Sequence, residues 1–134
     1  MTLFVQIAVS ALAQCNIYRE GKSYPFVRRL DRRRLEKKRI VLSPAQKDWL
    51  KNLLHRYRAQ LPEMAAMIFV VEEYCRVHRI RKVHIDRGCL MGWRPKAKAF
   101  EPIDLEEVKA WQCQQEAERQ ELEKGFKQLT LQLA

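Results

Sequence analysis

A chain of 134 residues with 47% hydrophobic content and a formal net charge of +10 is long enough for one domain, with or without an arm, and buries enough surface to fold without a disulfide or a metal. Its four cysteines, Cys15, Cys75, Cys89 and Cys113, form no CxxC pair, which excludes a disulfide-rich scaffold and points to a reduced, cytoplasmic protein. The charge is divided: residues 1–100 hold 22 basic and 8 acidic residues, whereas residues 101–134 hold 4 and 8.

Thr2 is placed to cap a first helix running to about Arg19, with Gly21 as its stop. Leu3, Phe4, Ile7, Ala8, Ala11, Leu12 and Cys15 form one apolar face. Val5, Val9, Ala13 and Ile17 extend it almost all round. Such a helix is central or sits in an interface, so self-association or docking on other subunits through it is expected. Gln6 and Ser10 interrupt an apolar run of about eleven residues that also lacks a positive leader, so neither a signal peptide nor a bilayer span is read.

Gly21 to Pro25 reads as a loop, with Pro25 biasing Tyr24 toward an extended conformation. Residues 22–42 read as a basic arm or helix. Between Arg28 and Arg39 stand eight cations, Arg28, Arg29, Arg32, Arg33, Arg34, Lys37, Lys38 and Arg39, against the two acids Asp31 and Glu36. Like charges at this density repel unless an anion lies nearby. Ser43-Pro44-Ala45-Gln46 is a capping box with proline at the first helical position, opening a helix to about Gln60. Trp49, Leu50, Leu53, Leu54 and Tyr57 line its buried face. Lys47, Lys51, His55 and Arg58 share another.

Pro62 opens a third helix with the core stripe Met64, Met67, Ile68, Val71, Tyr74 and Cys75. Towards its end this helix turns basic with Arg76, Arg79, Arg81, Lys82 and Arg87, five cations where the dipole of a last turn needs fewer. Val83 and Ile85 alternatively open a short strand, and Gly88 ends regular structure. Residues 88–102 read as a basic loop, in which Trp93 and Phe100 interleave with Arg94, Lys96 and Lys98. Aromatics beside cations suit stacking on unpaired bases. Residues 103–134 read as an acidic C-terminal helix capped by Asp104. Leu105, Val108 and Trp111 bury its start, and apolar spacing returns at Leu122, Phe126, Leu129 and Leu133. The expected fold is therefore all-α: a single domain over residues 1–134, built as a compact bundle of four to five helices with a basic arm and a long C-terminal helix.

Cys75, His78, His84 and Cys89 are the one metal-like constellation, but five residues between His78 and His84 fit a zinc site poorly. There is no Gly-rich phosphate loop and no HExxH pair, and Asp31, Asp48 and Asp86 stand isolated among cations. No catalytic residue, metal or cofactor is assigned. The third helix begins apolar, which disfavours a helix-turn-helix. Cations spread over several elements suit backbone tracking of RNA or single-stranded DNA without sequence preference. In size, basicity and inferred helicity the chain is similar to the small helical subunits of CRISPR surveillance complexes. That resemblance implies a subunit of a larger nucleoprotein assembly and transfers no site residue. A protein-binding adaptor or inhibitor, a helical DNA-binding regulator and a small metal-dependent enzyme are the alternatives.

Overall fold

The computed structural model describes residues 3–133, so Thr2, the expected first cap, lies outside the described residues. The chain divides into two units, Met1–Arg76 and Val77–Ala134.

The first unit is helical. α1 spans Leu3–Ala13, α2 Ser23–Leu35, α3 Pro44–Arg56, α4 Glu63–Ala66 and α5 Ile68–Val77, the last ending at the seam between the units. The apolar character of α1 is accounted for inside the unit, where it packs on α2, α3 and α4 and buries Val5, Ala8, Val9 and Leu12. It stops at Ala13 rather than Arg19. Its end tightens into 3₁₀-type bonds, with Gln14 N donating to Ala11 O (3.2 Å) and Cys15 N to Leu12 O (3.0 Å), and the chain then turns to bury Ile17.

α2 includes Tyr24 and Pro25, expected in a loop. Proline sits in the first turn, where its missing N–H has no helical partner to lose. The helix buries Phe26, Val27 and Leu30, one side of a 3.6-residue period. It ends in a Schellman motif: Lys38 N donates to Arg33 O (2.9 Å), Lys37 N to Arg34 O (3.1 Å), and Lys37 takes a φ of 56°. α3 begins as its sequence dictates. Gln46 N donates to Ser43 Oγ (3.2 Å), Ser43 N donates to Gln46 Oε1 (2.9 Å), and Pro44 occupies the first position. Trp49 on α3 stacks on Phe26 of α2, with ring centroids 4.0 Å apart and planes 1° from parallel, and its indole N–H donates to Ser23 Oγ (3.0 Å).

The second unit overturns the all-α expectation. It holds a three-stranded antiparallel sheet in the order β1-β2-β3, with β1 Arg81–Asp86, β2 Cys89–Arg94 and β3 Ala99–Pro102, followed by α6, Leu105–Leu133. The fold is therefore α+β, and most of the expected basic loop over residues 88–102 is strand. Two features hid the strands. β1 is an edge strand with almost every residue exposed, so it shows no apolar alternation. Its register with β2 also slips by one residue between Arg81 and His84, a bulge in which Lys82 takes a φ of 51°. Gly88 does not end regular structure. Arg87 (φ 52°) and Gly88 (φ 78°) form the two-residue turn between the paired Asp86 and Cys89, and both central residues need positive φ.

Gly92 has a different task. A Cβ there would fall far inside van der Waals contact with Ile80 Cγ2, on a buried, β-branched side chain, and would touch Ile103 and Val83 as well. Ile80, Leu90 and Val108 are the buried apolar residues of this unit among those described. Two stability measurements test these assignments. Gly92→Ala is expected to lower stability by ~1–3 kcal/mol through overpacking against Ile80. Lys37→Gly is expected to raise it by about 1 kcal/mol by relieving the left-handed backbone. Thermal or urea melts of the full chain read both.

Candidate nucleic-acid interface

The burial of Phe26, Val27 and Leu30 dictates where the α2 cations go. Arg28 and Arg32, four residues apart, fall opposite the buried side, and Arg29 and Arg33 flank them. All four are exposed. Among the described residues no carboxylate reaches Arg29, Arg32 or Arg33. Arg34 is different: its guanidinium donates to Asp31 Oδ1 from Nε (3.0 Å) and Nη2 (2.7 Å) and is half-buried. Lys37, Lys38 and Arg39 follow the helix end, exposed, with Lys38 beside Glu36 at 3.0 Å. A shallow groove lined by Arg28, Asp31, Arg32, Leu35 and Glu36 runs along this surface.

At the other end of α2 lies a larger cleft of about 720 Å³. Arg19, Arg28, Arg56, Tyr18, Tyr24 and Tyr57 line it, together with Cys15, Ile17 and Gln60. Asn16 N donates to Gln60 Oε1 (2.8 Å) and Tyr18 N to Tyr57 OH (3.4 Å), tying the loop after α1 to the end of α3. Burial pushes the Cys15 thiol above its ordinary pKa, so it stays protonated at neutral pH, and its Sγ donates to Ala11 O. Of these residues only Arg28 is a candidate binding residue by sequence; Cys15, Ile17 and Tyr57 read there as apolar-face positions and Tyr24 as loop. The available signal was the placing of arginine beside tyrosine at Tyr18-Arg19 and Arg56-Tyr57, which density of charge alone does not reveal.

The cations expected on the next helix divide. Lys47 is engaged, 2.6 Å from Glu72 Oε1 and over the Phe69 ring at 5.4 Å. Arg58 folds onto its own helix end, donating to His55 O (2.8 Å). Lys51 is exposed. Arg76 donates to Glu73 through Nε (3.0 Å), with a second, shorter contact from Nη2. That hydrogen bond, with the charge beside it, holds the Glu73 carboxyl below its ordinary range and raises Arg76. The pair's contribution is thus present at neutral pH and is lost as acid titrates Glu73 through its lowered pKa.

In the second unit, Trp93 and Phe100 sit on the sheet rather than on a loop. Phe100 meets Trp93 edge-on (centroids 5.1 Å) and His84 edge-on (5.2 Å), so one face of the sheet displays an aromatic cluster. Arg81 pairs directly opposite Trp93. Arg79 (φ 56°) and Lys82 flank the start of β1, and Lys96 and Lys98 (φ 50°) lie in the turn between β2 and β3, all four exposed. Arg94 is committed within the unit, with Nε 3.2 Å from Glu101 and Nη2 3.4 Å from Glu107.

The metal-like constellation is not assembled. His84 Nδ1 donates to Lys82 O (2.9 Å), His78 packs edge-on to Trp111 (6.0 Å), Cys75 is buried and Cys89 exposed. Among the described residues no three His, Cys, Asp or Glu side chains are placed to hold a metal ion. Nor is any helix among them long and apolar enough to cross a membrane. No family model matches the chain, and neither a curated protein nor a solved structure does. The likeness to CRISPR small subunits loses one of its grounds, since the chain is not all-helical.

The engaged and unengaged cations separate experimentally. Lys47→Ala is expected to lower stability by up to about 1 kcal/mol through loss of the Glu72 pair. It should leave oligonucleotide affinity within about twofold, because Lys47 is already committed to Glu72. A melt and a binding titration on the same sample check both.

Proposed function

We propose that the protein binds nucleic acid through its phosphate backbone, without sequence preference, and favours RNA or single-stranded DNA. It acts as a non-enzymatic small subunit of a larger cytoplasmic nucleoprotein assembly. The observation that carries this reading is the solvent face of α2. Arg28, Arg29, Arg32 and Arg33 stand exposed on it, and among the described residues no acid neutralises the last three. Phosphates arrayed along a strand supply the missing counter-charge and release condensed cations on binding. Lys37, Lys38, Arg39 and Lys51 extend the surface in the same unit.

A protein partner is supported by a separate feature. On α6, Leu122, Phe126, Leu129 and Leu133 recur at intervals of four, three and four residues, and they are 59–81% exposed. An apolar stripe at that spacing suits packing against another helix.

Reversing charge at Arg29, Arg32 and Arg33 together is expected to weaken binding of unrelated oligonucleotides alike and to reduce the salt slope by about 2, at ~0.7 per phosphate contact on a single strand. Fluorescence anisotropy over a salt series measures both. Unchanged affinity, or a change confined to one sequence, refutes the reading.

A further inference from the structure

We infer that the cleft at the start of α2 is a site for one unpaired nucleotide, its base against the tyrosine rings and its phosphate among Arg19, Arg28 and Arg56. The inference rests on the nucleic-acid reading of this unit and names what the cleft takes.

The charge arrangement comes first. Arg19 and Arg28 both lie over the same Tyr24 ring, with guanidinium carbons 5.9 Å and 5.7 Å from its centroid. Two cations converging on one ring gain from its quadrupole but repel each other. Arg56 lies over Tyr57 at 5.8 Å, adding a third guanidinium. Among the described residues no carboxylate lines the cleft. Glu20, next to Arg19 in sequence, accepts from the Tyr18 hydroxyl at 2.8 Å and does not belong to the lining. Cys15, whose thiol burial pushes above its ordinary pKa, is protonated at neutral pH and adds no negative charge. Three guanidiniums without an anion form a phosphate site, because their planar donor pairs match two phosphate oxygens at once.

The aromatic content makes it more than a phosphate site. Tyr18 is 63% exposed, and Tyr24 and Tyr57 are half-buried, so all three rings are reachable. Stacking on tyrosine is indifferent to base identity but requires a base free of its partner. The volume of about 720 Å³ lies within the range of small-molecule sites, ~300–1,000 Å³. Arg28 also lines the groove toward Leu35, so a strand lying along Arg28 and Arg32 leads its end nucleotide into the cleft.

The test uses the full chain and two variants, Arg19→Ala/Arg56→Ala in the cleft and Arg29→Ala/Arg32→Ala/Arg33→Ala on the face of α2. All five side chains are exposed, and circular dichroism confirms that each variant folds. The probes are adenosine monophosphate, inorganic phosphate, a short single-stranded oligo-dA and a blunt duplex of the same length, at about 50 mM salt. The expected result is saturable binding of the mononucleotide, tighter than inorganic phosphate, and weakened about tenfold or more by the cleft variant but not by the face variant. The single strand should bind about fivefold more tightly than the duplex, with that preference lost in the cleft variant. A free mononucleotide as occupant is distinguished by mononucleotide binding with no single-strand preference. No saturable mononucleotide binding, equal affinity for inorganic phosphate, or no effect of the cleft variant overturns the inference. If the single strand and the duplex both fail to bind while the mononucleotide does, the backbone reading falls and the cleft stands.

Discussion

The first unit depends on the stack of Trp49 on Phe26. At 4.0 Å between centroids and 1° between planes the two rings lie flat on each other, and the indole N–H reaches Ser23 at the first turn of α2. Aromatic contact of this kind is worth ~0.5–1.5 kcal/mol beyond the area it buries. Its larger effect is directional. The buried side of α2, formed by Phe26, Val27 and Leu30, already turns its cations outward, and the stack adds a second anchor. Pinning Phe26 and Ser23 fixes its rotation, and every arginine then has a determined outlook. The capping box at Ser43 sets where α3 starts, and so where Trp49 stands.

Charge is excluded from the interior throughout: among the described residues no polar or charged side chain is buried. The interior is aliphatic and aromatic, and the cations are distributed over a surface that already has a few partners. Those partners sort them. Asp31 takes Arg34, Glu72 takes Lys47, Glu73 takes Arg76, and Glu101 with Glu107 takes Arg94. What remains unneutralised is narrower than the run of basic residues suggests. Among the described residues it includes one side of α2 and the tyrosine cleft in the first unit, and Arg79, Lys82, Lys96 and Lys98 in the second.

Legibility varied with the locality of the signal. The start of α3 was readable to the residue, because a capping box is written in four consecutive positions. The buried face of α3 followed from its period, and Leu50, Leu53 and Leu54 are indeed its buried residues. The sheet is legible only at Val83 and Ile85, which mark a short strand as an alternative and lie in β1; β2 and β3 leave no such mark. β1 lacks alternation because both its faces are open, its turn uses Arg-Gly rather than Asn-Gly, and its bulge breaks the two-residue repeat. The break at Met67 between α4 and α5 left no sequence mark either. The cleft escaped for another reason: Arg19, Tyr24 and Arg56 come from three segments, and only folding brings them together.

One feature of the backbone bears on how this protein responds to selection. Every non-glycine residue with positive φ among those described is a lysine or an arginine: Lys37, Arg79, Lys82, Arg87 and Lys98. Glycine or asparagine would fit each of these bends with less strain. The molecule therefore keeps cations at the places where its backbone would most readily give them up. A mutational scan scored on abundance would rate these positions as improvable, whereas under the proposed backbone binding Lys37, Arg79, Lys82 and Lys98 would rate in the opposite direction on polyanion binding.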